Sequence, residues 1–374
     1  MRFTIKREEL LKALTIASRA IASKAANVAF LNFKLDLDEK GLFITSSNSD
    51  LTIKTFVPFK NKDEEIIRNY KEGSTLINAK ILTEIARKMD STDITIDVVD
   101  STIAMISDNR SRYKLNCMRA EEYPDIDLEP TGTRLTLSKE DFNALVSQTA
   151  FAASTKEQRP TLTAMNLEAN GGALVATATD SARMAKKTIE VDENLRFVAN
   201  VPAKLMVEVS HLIEDEKEVD IAFSDKKALF SVSRTVIATR LVAGEYPNTK
   251  SIVPKITNYR LEVNSADLIK AIDRVNILSI DRENVVDLSL SEENGVEISA
   301  KSAQVGSAVE KLDLFKFEGN NLRISFNSEF VSSAIRALGC EDVVFEFVAE
   351  MKPFVIKNSN DSSVIQIVTP VRTY

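Results

Sequence analysis

The chain has 374 residues, enough for two or three domains with separate cores, since one core rarely grows past about 250 residues. Its two cysteines, Cys117 and Cys340, stand far apart with no CxxC spacing, which excludes a disulfide framework and a zinc ribbon and suits the cytoplasm. A formal charge of −7, from 48 basic and 55 acidic residues, argues against a simple basic nucleic-acid binder, and no run approaches the roughly 18 apolar residues of a membrane span.

From the N-terminus, RFTIK (Arg2 to Lys6) alternates apolar and polar residues as a half-buried strand does. In the next stretch, REELLKALTIASRAIAS, the residues Leu10, Leu11, Leu14 and Ala17 lay one apolar stripe along a predicted helix. A second helix is predicted at NAKILTEIARKM from Asn78, then a strand at DITIDV from Asp93 and another over Arg110 to Ala120. The first copy ends in EEYPD (Glu121 to Asp125) and a Pro-bearing link.

The same order then begins again. RLTLS (Arg134 to Ser138) precedes a helix at KEDFNALVSQTAFAAS, Gly171-Gly172 reads as a hairpin turn, and PAKLMVEVSHLI from Pro202 is the second helix. EVDIAFS and the alternating RTVIATRLVA come next, and GEYPN (Gly244 to Asn248) repeats the earlier Glu-Tyr-Pro. A third copy runs through RLEVN (Arg260 to Asn264), helices from Ser265 and Asn327, DVVFEFV, and a final VIQIVTPVRTY. Ser138 and Ser265 are the expected N-caps of their helices. A period near 125 residues is too long for a solenoid, so a whole α+β domain is written three times, as 1–128, 129–254 and 255–374.

No phosphate-binding loop, dinucleotide fingerprint, HExxH or GxSxG is present, and ten glycines leave little for a phosphate cradle. His211, followed by Glu214 and Asp215, could in principle bind a metal, but a solvated helix face is the better reading. Neither catalysis nor a cofactor is expected.

Threefold layout, the opening RFTIKREELLKAL, TATDSARMA (Thr177 to Ala185), GEYPN and the closing IVTPVRTY together resemble the bacterial sliding-clamp family, the beta subunit of the replicative DNA polymerase III holoenzyme. The resemblance implies three clamp domains, each with two helices packed on antiparallel sheets, in a head-to-tail homodimer closed into a ring around double-stranded DNA. It also implies a non-catalytic processivity factor that partners the replicative polymerase, the clamp loader, and other polymerases and repair proteins with clamp-binding peptides. Size favours a pair: six helices of about 10 Å diameter, side by side, enclose roughly 9 Å of clear space, and twelve enclose about 28 Å, against about 20 Å for duplex DNA.

By the same resemblance the peptide groove uses Leu162, Thr179, Arg183, Met184, Pro247 and Ile252, with Asn327, Phe330, Met351, Pro353, Ile367, Val368, Thr369, Pro370, Val371 and Arg372 from the last copy. Many family members have Gly-His-Arg-Leu where this chain has SARM at Ser181 to Met184, so the groove's preference stays open. DNA contacts are expected from Lys24, Lys80, Lys156, Arg159, Lys204 and His211; the third copy has Ser328-Glu329 where Lys80 and Lys204 stand, which breaks threefold equivalence. Few such contacts suit a ring that slides, because each neutralised phosphate adds salt-sensitive affinity. Tyr113 and Leu115 are implied to meet Ile277 and Leu278 of the second subunit. A peptide-binding scaffold that does not encircle DNA competes with this reading, as does an enzyme with a site assembled between domains.

Overall fold

The computed structural model describes residues 1–22, 24, 27–213, 216–279, 284–291, 293, 295–313 and 315–372. The chain divides into two compact units, Met1–Ser138 with Leu212–Arg240, and Lys139–His211 with Leu241–Tyr374. Sheets rather than repeats set this division, because strands from different copies pair with one another.

The first unit holds a five-stranded sheet in the order Arg112–Asn116, Ile103–Ser107, Asp93–Val99, Arg2–Lys6, Ile67–Lys71. Its second sheet has eight strands: Thr133–Ser138, Glu218–Phe223, Lys227–Val232, Thr235–Arg240, Leu51–Pro58, Gly41–Ser47, Asn32–Leu37 and Gly73–Asn78. Thr235–Arg240 meets Leu51–Pro58 antiparallel, with Ala238 opposite Thr52, and so joins residues about 180 positions apart. Helices α1 (Arg7–Ser18) and α2 (Ala79–Lys88) cover the core. α1 buries Leu10, Ala13, Leu14 and Ala17, as its spacing predicts, against Phe3, Phe33 and Leu35. Each such Leu or Phe contributes roughly 1.5–3 kcal/mol by leaving water.

The second unit repeats the scheme. Its large sheet runs Phe197–Pro202, Ala164–Asn170, Ala173–Thr179, Arg183–Glu190, Asp361–Val368, Phe354–Asn358, Asp342–Phe347, Tyr259–Asn264, Phe315–Glu318. Its smaller one runs Gly306–Leu312, Gly295–Ser302, Val285–Ser291, Leu322–Asn327. Helices α3 (Lys139–Ser147), α4 (Ala203–Leu212), α5 (Ser265–Asn276) and α6 (Ser328–Leu338) complete the set, and α5 and α6 close over a core with Phe326, Phe345 and Phe354. Gly171 and Gly172 make the expected hairpin turn with φ of 61° and 83°, a region open to glycine without strain.

Expectations change at several helix ends, and α1 stops at Ser18, short of its predicted span. Ser265 is the first residue of α5 rather than its cap; Asn264 caps it, its side-chain oxygen accepting from the N–H groups of Ala266 and Asp267 at 3.0 and 3.2 Å. α3 stops at Ser147, short of the predicted span, because the Thr149 hydroxyl turns back to the Leu145 carbonyl and a 3-10 turn at Ala150–Ala152 comes next. Asn327 caps α6 in the same way as Asn264, accepting from Glu329 and Phe330. Asn327→Ala is expected to lower unfolding stability by about 1 kcal/mol in urea titration.

Candidate functional site

In the second unit the turn Thr179–Arg183 brings most of the expected groove residues together. Asp180 makes the turn: its carboxylate accepts from the backbone of Ala182 and Arg183 at 2.9 and 3.0 Å, with Ser181 at φ 80° between them. Arg183 and Met184 then enter the sheet opposite Val368 and Ile367. Beyond Val368 the tail continues along the same edge, with Thr369 N–H donating to the Ala182 carbonyl at 2.9 Å and Val371 N–H to that of Ser325 at 2.7 Å. Three separate stretches of chain thus meet there.

Arg183 is fixed there. Its Nε donates to Asp180 Oδ2 at 3.0 Å, and its guanidinium lies 4.4 Å from the Phe330 ring centre and 5.5 Å from that of Phe151. A planar cation stacked on rings gains about 0.5–1 kcal/mol per face while its remaining N–H groups stay available to an acceptor. Asp180 and Phe151 are absent from the expected set, although Asp180, three residues before Arg183, carries a local signal for a turn.

Met184, Val355 and Ile367 form a buried cluster against Val253 and Ile365. Leu162, Thr179, Val368 and Pro370 are buried as well, so these expected residues offer little open contact surface. Exposed apolar surface comes from Ile252, at 39% of its accessible area, and Met351, at 49%, with Pro247, Thr369 and Arg372 also exposed. Pro353, Phe330, Val371 and Asn327 are half-buried at the edge.

Sequence models of the DNA polymerase III beta subunit match almost the whole chain: the N-terminal domain over residues 1–127, the central domain over 136–248 and the C-terminal domain over 250–372. The chain belongs to the DNA polymerase III beta subunit family. The beta sliding clamps of Bacillus subtilis and Staphylococcus aureus are 31% and 30% identical to it, with both chains covered in full. The crystal structure of the Bacillus subtilis DNA polymerase sliding clamp superposes with a TM-score of 0.95 at 30% identity over both whole chains. That of the Streptococcus pyogenes beta subunit gives 0.92 at 26%, again over both chains. With membership comes the family's role, a non-catalytic sliding clamp of DNA replication.

The six cations expected to meet DNA are all exposed: Lys24, Lys80 and Lys204 on or beside helices, Lys156 and Arg159 in the loop before the 3-10 turn Pro160–Thr163, and His211 at the end of α4. Arg159 also donates to Ser181 Oγ at 3.3 Å, which brings it beside the clamp's groove turn. Glu214 and Asp215, weighed with His211 as metal ligands, lie outside the described residues, among which no cluster of three or more candidate ligands occurs. No described helix is long and apolar enough to cross a membrane.

Tyr113 and Leu115 lie on the outermost strand of the five-stranded sheet, Tyr113 38% exposed and Leu115 half-buried against the core. Ile277 is 68% exposed just past α5, whereas Leu278 packs inward. Sequence reading missed Val309, 60% exposed on the edge strand Gly306–Leu312, because alternation identifies a strand's faces but says nothing of whether it has a neighbour.

Both Glu-Tyr-Pro tyrosines turn inward at the same place in their copies. Burial pushes the Tyr246 phenol up to about 12 from its ordinary 10.0, against a smaller downward pull from the Thr179 backbone. A phenol kept neutral in the folded state adds stability that is complete below pH 10 and lost as pH rises through 12. Stability measured by urea titration is therefore expected to fall over that window, and Tyr246→Phe to make the fall shallower.

Proposed function

We propose that two copies of this chain close head to tail into a ring that encircles duplex DNA. Strand pairing carries the reading. In each unit the last strand of one copy (Thr235–Arg240 or Asp361–Val368) pairs with the third of three consecutive antiparallel strands in another copy (Leu51–Pro58 or Arg183–Glu190). Applied a third time, the rule leaves Arg112–Asn116, the last strand of the first copy, and Gly306–Leu312 of the third. Both are sheet edges in this chain, and each displays exposed apolar side chains, Tyr113 and Val309. Among the described residues neither has a strand on its outer side; between two chains each edge meets its complement twice, which closes the assembly and covers edges otherwise prone to aggregation. Tyr113, Leu115, Ile277 and Leu278 belong to this contact, with Val309 added.

The three copies, 1–128, 129–254 and 255–374, then act as six domains of a ring in the cytoplasm. Lys24, Lys80, Lys156, Arg159, Lys204 and His211 supply the sparse positive charge that tracks phosphates without reading bases. The surface around Met184 and Ile367 receives short peptide segments of the replicative polymerase, the clamp loader and other polymerases and repair proteins. Ile252 and Met351 offer apolar contact there, and Arg183 a fixed donor.

Retention on DNA tests the ring. After loading onto nicked circular DNA with a matching clamp loader and ATP, the protein should stay bound through a wash at high salt and be lost once the circle is cut. Equal retention on both forms would mean direct binding and would overturn encirclement; no retention on either would favour a scaffold that binds peptides without DNA.

A further inference from the structure

The surface around Met184 has a counterpart in the first unit. The turn Asn48–Leu51 repeats the turn Asp180–Arg183: Asn48 Oδ1 accepts from Leu51 N–H at 2.9 Å as Asp180 does from Arg183, and Ser49 has φ 81° where Ser181 has 80°. Thr52 then faces Ala238 across the ladder as Met184 faces Ile367. Tyr123-Pro124 flanks the first surface and Tyr246-Pro247 the second.

The two links beyond Tyr-Pro differ. In the first unit Ile126 packs with Phe30 on Ala29, Leu76 and Tyr123, while Leu128 packs on Ala222, Leu229 and Ala238. Between them Asp127 is gripped twice by Lys227, whose Nζ lies 2.6 Å from the carboxylate and 3.0 Å from the backbone carbonyl. In the second unit the chain reads Thr249, Lys250, Ser251. Lys250 turns to Glu168, 3.9 Å away, and only Val253 repeats the Leu128 contact, packing on Met184, Val355 and Ile367. Ile252 and Met351 stay exposed there, whereas Ile126, Leu128 and Phe30 are all half-buried.

We propose that the link Asp125–Leu128 is a built-in peptide ligand seated in a second groove and latched by Lys227, so that each chain leaves only the groove around Met184 free for partners. The likeness between the two surfaces rests on the proposed role of the Met184 groove; the seating of the link does not. An extended segment with apolar side chains two residues apart and an acid between them presents both apolar groups to one face, the arrangement a peptide needs to dock in a shallow apolar groove. Tethering at both ends gives the link a local concentration of the order of millimolar, enough to outcompete weak partners without any exceptional contact.

Thiol labelling of the full-length dimer tests this. With Cys117→Ala and Cys340→Ala removing the native thiols, Ala238→Cys places a reporter beneath Leu128, and Ala300→Cys, also buried but in the second unit, reports general opening. Lys227→Ala and, separately, Leu128→Ser should each speed labelling at position 238 tenfold or more and at position 300 by less than twofold. In the Leu128→Ser protein a synthetic peptide of residues 121–130, at several millimolar, should slow labelling at 238 by at least half. An unchanged rate at 238 would overturn the latch. An equal rise at both positions would make the link an ordinary part of the fold, and no slowing by the peptide would show that the surface is not a groove for it. Since none of these readouts involves the second unit's groove, failure here leaves that groove's proposed role standing.

Discussion

Val309→Asp is expected to convert the dimer into folded monomers at micromolar concentration. In the ring each edge strand Gly306–Leu312 abuts Arg112–Asn116 of the other chain, so one substitution acts at both interfaces. An unpaired carboxylate buried at such a contact costs about 2–5 kcal/mol, which at the lower end gives roughly 4 kcal/mol for the two, or about a thousandfold in Kd. Val309 is 60% exposed in the single chain, so its replacement should leave monomer stability nearly unchanged. Analytical ultracentrifugation with circular dichroism reads both quantities. A dimer that persists with wild-type affinity would remove the strand-pairing rule as the basis of the ring, and loss of dimer should bring loss of retention on circular DNA.

Ile252→Glu with Met351→Glu should abolish most peptide binding while the ring stays intact. Both side chains are exposed, and Ile252 adjoins Val253, which packs on the buried Met184 and Ile367. Losing their burial against a ligand removes about 2 kcal/mol together, roughly thirtyfold in Kd, and like-charge repulsion adds to this when the peptide is acidic. Fluorescence anisotropy with a labelled C-terminal peptide of the replicative polymerase would measure it. Unaltered affinity would move the partner site away from Met184. The contrast with the buried residues is instructive: Ile367, only 2% exposed, cannot be charged without destabilising the sheet, so a failed Ile367→Glu variant would say nothing about binding.

Much of this was legible in the residues alone. Alternation in RFTIK, RLTLS and RLEVN, and the stripe of Leu10 and Leu14, correspond to observed strands and a helix because side-chain periodicity is a local consequence of backbone geometry. The doubled Glu-Tyr-Pro likewise marks two inward-turned tyrosines, but the strands before them stop at Asn116 and Arg240, well short of the prolines expected to end them. Helix ends were less legible. Asn264 and Ser265 are both good capping residues, and only the strand running up to Asn264 decides which oxygen faces the free N–H groups.

The residues alone carried the threefold repeat, the type of the helices and of the strands flanking them, and, through the order of the motifs, the family. The tertiary structure alone shows which strand of one copy docks on which strand of another, that Met184, Ile367 and Val368 are buried while Ile252 and Met351 are exposed, that Phe151 and Phe330 lie against Arg183, and that Ile126 and Leu128 of the first link pack inward. Backbone hydrogen bonds between strands are chemically alike at every residue, so pairing across 180 positions leaves no local mark; it is selected by the packing of whole faces, which exists only once the chain has folded.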